Sequence, residues 1–181
     1  MAKRDKDTIT IGSATLYIMP FADAMPTQDE LFRAENRAGW TKGGASVEYT
    51  EEATEEKDDL GMVSKVITTE EEAIIKCGLL TWNGNTLQTL VDRCTVAEAQ
   101  GKRTVKIGGA GNAQGKYYAI GLHHVDKTDG DIWVIIKGRN NVGLTLTLAK
   151  DEGTVLEPEF KAMPHDDAGT LIEYIEEIPT V

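Results

Sequence analysis

The chain has 181 residues, a length suited to one domain, and sets 19 basic against 30 acidic side chains for a net charge of −11. That balance excludes tight grasping of nucleic acid, which needs clustered Lys and Arg, but not a surface past which DNA slides unheld, since like-signed walls repel phosphates. The longest apolar run, Ile132–Ile136, is far too short to span a bilayer, and the charged residues 1–7 lead into no apolar segment, so a protein made in the cytoplasm with reduced thiols and no membrane anchor is expected.

Thr8–Ile18 reads as a strand. Ile9 and Ile11 share one face while Leu16 and Ile18 fall in the opposite phase, which places a bulge near Gly12-Ser13. A loop follows from Pro20 to Pro26. Thr27 and Glu30 then fit a capping box, and a short helix with Leu31, Ala34 and Ala38 on one face would close at Gly39.

Residues 43–49 have strand composition, and so do residues 62–67. Between them, positions 48–59 hold seven carboxylates and one lysine in twelve residues. Like charges in a block repel and cannot pack onto the chain's own core, so a long, extended, solvated loop is predicted over about 49–62. Loops of that length are either functional arms or plain solvated connections, and charge alone does not choose between them.

Glu70–Trp82 reads as a strand with Ala73, Ile75, Cys77 and Leu79 on one face and Ile74 and Leu80 on the other. A helix is predicted from Thr86 to about Thr95, capped by Asn85 with Gln88 three positions on. Its apolar stripe is Leu87, Leu90, Val91 and Cys94, at i, i+3, i+4 and i+7. Lys116–Ala149 reads as a β-meander punctuated by Asp129-Gly130 and Asn140-Asn141, both of which accept the positive φ of tight turns. In its last strand Val142, Leu144, Leu146 and Leu148 alternate with Gly143, Thr145, Thr147 and Ala149, the pattern of a half-buried antiparallel strand. Thr154–Ala162, with Pro158 demoting it to an edge or a bulge, and Thr170–Ile178 complete the pattern. The class is therefore mostly β with one helix packed on it, about eight strands in all.

Few motifs carry chemistry. Gly108–Lys116 is glycine-rich, but Ala110 stands where a Walker loop needs glycine and Tyr117 where it needs Ser or Thr. The segment also runs into strand rather than helix, so it reads as a loop. His123 and His124 are adjacent and would point to opposite faces of a strand. His165-Asp166-Asp167 lies between Pro164 and Gly169 as a turn, and none of the three serines sits in Gly-x-Ser-x-Gly. Cys77 and Cys94 have no short Cys/His spacing that would suggest zinc. No enzyme, cofactor or metal is expected. Trp40, Trp82 and Trp133 lie among apolar neighbours and read as core or interface anchors.

Taken in order, several segments resemble the major tail tube proteins of long-tailed bacteriophages. They are Gly39–Tyr49, the acidic run after it, Thr68–Glu72 leading into Ile74-Ile75-Lys76, the Asn83-Gly84-Asn85 helix start, Leu148–Phe160, and His165–Leu171. The resemblance implies two packed antiparallel sheets, sandwich- or barrel-like, with one flanking helix (85–95) in a single domain spanning 1–181. It implies hexameric rings whose inner sheets join into a barrel and which stack into a tube, the virion's conduit for genome DNA. It also implies tape-measure protein in the lumen, and a tail-tip initiator and tail terminator at the ends. By the same resemblance the loop near 49–62 would reach a neighbouring subunit or ring through Tyr49, Glu51, Glu52, Glu55, Glu56, Asp58, Asp59 and Met62. Its acidic side chains would need basic partners on another copy, with Lys3, Arg4 and Lys6, or Lys102, Arg103 and Lys106, as candidates. The alternative from another class is a monomeric β-sandwich that binds a ligand such as a carbohydrate.

Overall fold

In the computed structural model, the described residues are Arg4 and 7–178. The chain is mostly β, with two sheets and short helices. β1 (Thr15–Pro20) opens the chain's main sheet, and α1 (Gln28–Leu31) and a 3-10 turn (Ala34–Asn36) follow. β2 (Thr41–Lys57) and β3 (Ser64–Leu79) are the longest strands. After them come α2 (Gly84–Leu90), β4 (Cys94–Ala99), β5 (Lys102–Ile107), β6 (Tyr118–His124), β7 (Ile132–Asn140), β8 (Glu159–Met163) and β9 (Glu173–Glu176). The seven-stranded sheet runs β1-β6-β7-β8-β3-β2, wholly antiparallel and open at both ends, with β9 added beside β7. The second sheet is the hairpin β4-β5.

β7 organises the sheet. One edge carries β6 along its length. The other is shared, β9 pairing with Ile132–Ile135 and β8 with Lys137–Asn140. The sheet therefore divides at β7, and β3 with its long partner is reached through β8. Asn140 fixes the junction: its amide nitrogen donates to the Leu90 and Val142 carbonyls at 2.9 and 2.6 Å, and its amide oxygen accepts from the Glu159 N–H at 3.0 Å.

The main core lies on one face of this sheet. Leu16, Ile75, Leu79, Ile120, Ile136, Leu156 and Phe160 are all buried there, with Leu87 and Leu90 of α2 packed against them. Each such side chain contributes on the order of 1.5–3 kcal/mol by leaving water. A smaller cluster, Leu31, Ala119 and Ile135 with Tyr17 and Phe32, sits on the opposite face under α1. Gly121 permits that approach, because a Cβ there would stand 2.6 Å from the Phe32 ring. The Thr27–Glu30 capping box forms as the sequence predicts, with Thr27 N–H donating to the Glu30 carboxylate at 2.9 Å.

Several sequence expectations are corrected. The strand expected at Thr8–Ile18 starts only at Thr15, after Gly12 turns at φ +142°, and Ile9 and Ile11 stand exposed. The helix expected over 85–95 spans Gly84–Leu90. Its cap is Asn83, whose side-chain oxygen accepts from the Asn85 and Thr86 N–H groups, and Val91 leaves the helix at φ −118°. Cys94 consequently belongs to a strand, paired with Ile107. Cys77 and Cys94 are free, buried thiols, and burial pushes that of Cys77 up to about 12. The strand expected at Val142–Ala149 is absent. The two expected C-terminal strands shrink to Glu159–Met163, with an isolated bridge from Leu156 to Leu79, and Glu173–Glu176.

Candidate functional site

The acidic run is not a loop. It forms the outer half of β2, paired residue by residue with the outer half of β3, from Glu48 opposite Ile74 to Lys57 opposite Ser64. Charge favours extension, and the partner strand supplies what the run lacks: Val66, Ile67, Thr68 and Thr69 are β-branched and suit a pleated ribbon. Glu56 lies opposite Lys65, while Glu48 and Glu72 are held by Lys76 and Lys161 near the base. The result is extended and solvated, as expected, but it is a paired ribbon and not a loop.

The side chains of β3 show where the body ends. Residues 73, 75, 77 and 79 are buried, whereas every residue from Ser64 to Glu71 is exposed. The eight residues Thr50–Lys57 thus carry the hairpin clear of the body, by about 25 Å at a strand's rise per residue. At the base Gly43 and Gly44 both adopt positive φ, +88° and +87°, where the register jumps from Thr41/Leu79 to Ala45/Cys77. Opposite them Gly78 has no room for a side chain, its Cβ position lying 2.1 Å from the Lys42 carbonyl oxygen. A second irregularity falls at Glu52/Ala53. Thr69 drops out of the pairing there and its hydroxyl donates to the Glu52 carbonyl at 3.2 Å.

The pleat distributes the predicted residues over both faces. Tyr49, Glu51 and Glu55 point one way, and Glu52 and Glu56 the other. Glu51 faces Glu71 across the ribbon and Glu52 faces Glu70, so like charges meet directly on both sides. The Tyr49 hydroxyl donates to Glu71 at 2.9 Å and lies 3.4 Å from Glu51, and this bond to Glu71 is the main reason its phenol is raised to about 12.

Asp58, Asp59 and Met62 fall in the tip. Asp58 shapes it: its carboxylate accepts from the Val63 N–H at 2.7 Å and from Leu60 N–H at 3.4 Å, while its backbone N–H reaches the Val63 carbonyl at 3.0 Å. Gly61, at φ +65°, closes the turn onto the Asp58 carbonyl. The tip so formed presents Leu60, Met62 and Val63, which are 84%, 80% and 69% exposed. Three large apolar side chains held out on an ordered turn are what a docking contact needs, and the sequence reading saw only Met62 among them.

These backbone bonds, that from Val63 first, hold the Asp58 carboxyl below its ordinary value. A lowered carboxylate pKa orders the turn fully above about pH 4, and that order is lost as pH falls through the lower value. Protection of the Leu60 and Val63 amides, relative to their intrinsic exchange rates, should therefore fall on acidification, and Asp58→Ala should leave it low at every pH.

Of the basic partners considered, Lys3 and Lys6 lie outside the described residues. Arg4 is buried, donating to the Gly130 carbonyl at 2.7 Å and to the Thr10 hydroxyl at 2.8 Å and pairing with Asp126, so it cannot serve an arm. Lys102, Arg103 and Lys106 are exposed on β5. The segment 93–107 carries four cations and one carboxylate, Glu98, which binds Arg103 at 2.7 Å. The sequence reading missed this hairpin. Its signal was Gln100-Gly101 between β-branched residues; both take positive φ, +52° and +73°.

The remaining motifs have local partners. His123 stacks on Trp133 and meets Asp131 at 2.7 Å, while His124 turns to the Ser13 carbonyl. The His165 side chain is covered and meets Glu173 at 3.0 Å. Trp82 donates to the Thr154 carbonyl, and Trp40 lies under the Arg37 guanidinium. Among the described residues no group of three or more His, Cys, Asp and Glu side chains is arranged to hold a metal ion, and no helix is long and apolar enough to cross a membrane. The chain matches no protein-family model, and no curated protein is significantly similar to it.

Proposed function

We propose that this chain is a self-assembling structural subunit of the bacteriophage tail tube type. In that reading hexameric rings close by sheet edges, inner sheets join into a barrel, and rings stack into a conduit for DNA. The observation that carries it is the projecting β2–β3 arm with its ordered apolar tip. A monomeric binding protein gains nothing from holding Leu60, Met62 and Val63 out in water, whereas a repeating assembly can seat them in the next copy. Within residues 48–72 ten carboxylates stand against two lysines, and the β4–β5 hairpin offers the opposite charge, so one copy's arm fits the basic hairpin of another. A contact between two different surfaces of one chain propagates into rings or filaments rather than stopping at a dimer. An acidic exterior and bore would let DNA pass without sticking.

Negative-stain electron microscopy over a concentration series, with light scattering alongside, tests this. Hollow tubes or ring-shaped particles are expected, dissolving as salt screens the arm's charge. A species that stays monomeric at high concentration, even with a tail-tip initiator added, would turn the assignment to the ligand-binding sandwich.

A further inference from the structure

Residues 142–149 have the sequence of a strand and the surroundings of none. Apolar and small or β-branched residues alternate through the segment, yet it has no ladder. Among the described residues no backbone–backbone hydrogen bond involves positions 142–155; side chains alone bond there, Asn140 to the Val142 carbonyl, Thr154 to the Thr147 carbonyl at 2.6 Å, and Trp82 to the Thr154 carbonyl beyond the strand-like stretch. Leu144 packs partly against the core, whereas Val142, Leu146 and Leu148 are exposed, Leu148 by 85%. The segment lines one side of an open cavity of about 530 Å³ that Leu90, Asn140 and residues 155–159 complete. Backbone groups left without partners are costly once buried, and a segment of this composition gains by acquiring a ladder.

A complementary deficit exists in the same chain. β2 ends the sheet and pairs with β3 alone; the Thr41 hydroxyl at its start donates to the Ala14 carbonyl, and from Ala45 onward its outer edge carries no paired strand among the described residues. The sheet's other end is not equivalent. β1 is six residues long, stops at Pro20, and already receives the Ala38 N–H at its Leu16 carbonyl and a bridge from Arg37. Beside the open edge, β2 presents exposed Val47 and Tyr49 on one face, with the small residues Ala45 and Ser46 leaving room for an incoming chain.

We propose that residues 142–149 are a strand held in reserve, which forms when it adds to the free β2 edge of a second copy. The segment brings an uncharged backbone with apolar side chains on one face, and the edge brings unpaired donors and acceptors beside Val47 and Tyr49. This pairing is one-directional, segment to edge, so each copy both donates and receives a strand. It rests on the self-assembly reading and adds to it a specific lateral contact, distinct from the arm's tip.

Hydrogen exchange of the intact protein, dilute and assembled, tests it. Alternate amides within 143–149, those turned toward the new partner, should slow by roughly tenfold or more on assembly, together with the alternate β2 amides between Ala45 and Glu52 that point away from β3. Thr145→Pro removes a donor at an exposed site. It should melt as the wild type does, yet assemble only at higher concentration or not at all. Assemblies in which 143–149 exchange as fast as in the monomer would overturn the inference and leave the assembly reading standing. Protection of the segment without protection of β2 would overturn the choice of edge. Failure of the wild type to assemble at any concentration would overturn both.

Discussion

Removing the arm is expected to abolish assembly and to leave the melting temperature almost unchanged. The clean excision follows the register: Thr50 faces Glu72, so residues 51–71 can be replaced by a two-residue Asn-Gly turn that suits a hairpin. Cutting only the acidic strand would instead strand its partner, because the two halves of the arm pair with each other. The excised residues are exposed, and an isolated two-stranded ribbon is marginal in water, so the folded body loses little, within about 0.5 kcal/mol. The base contacts remain, Lys76 on Glu48 and Lys161 on Glu72. The variant should sediment as a monomer under conditions where the wild type forms large particles. Tubes built by the armless chain would remove the arm from the assembly mechanism altogether.

The largest expected loss of stability comes from Phe160→Ala. Phe160 is 1% exposed and lies in β8 opposite both Ile75 of β3 and Asn140 of β7, at the seam through which the long strands are attached to the rest of the sheet. Truncation leaves a cavity that the surrounding strands cannot collapse onto, at a cost of about 3–5 kcal/mol. For a chain of this size that lowers the melting temperature by roughly 10 °C. Leu148→Ala is the control: its side chain is 85% exposed, and the change should stay within about 0.5 kcal/mol in the monomer. Urea denaturation of the three proteins makes the comparison, and a Phe160→Ala cost below about 1 kcal/mol would mean that the seam is not a close-packed core.

What could be read from the sequence followed whether the deciding force was local. The Thr27–Glu30 cap is a contact between near neighbours and formed where expected. The buried face of β3 followed from alternation against a core, and the paired strands β6 and β7 from the Asp129-Gly130 turn between them. The arm's place was legible but its nature was not, because seven carboxylates outweigh pattern until the partner strand across a six-residue tip is counted. The 85–95 helix failed for a related reason. Leu87, Leu90, Val91 and Cys94 have helical spacing, yet Cys94 is claimed by Ile107 across a hairpin whose polar strands show little hydrophobic alternation. Val142–Ala149 is the converse: the local pattern is strong, and within one chain it finds no ladder.

The paired carboxylates of the arm have one further consequence. A long, flat, two-stranded ribbon rich in Val, Ile and Thr is the sort of element that stacks into amyloid-like layers when chains are concentrated. Here Glu51 and Glu71 occupy one face of the ribbon and Glu52 and Glu70 the other, opposed in pairs. Laying two such ribbons face to face would crowd carboxylates from both chains into a space that excludes water. The middle of the arm is thereby insulated against face-to-face stacking with its own kind.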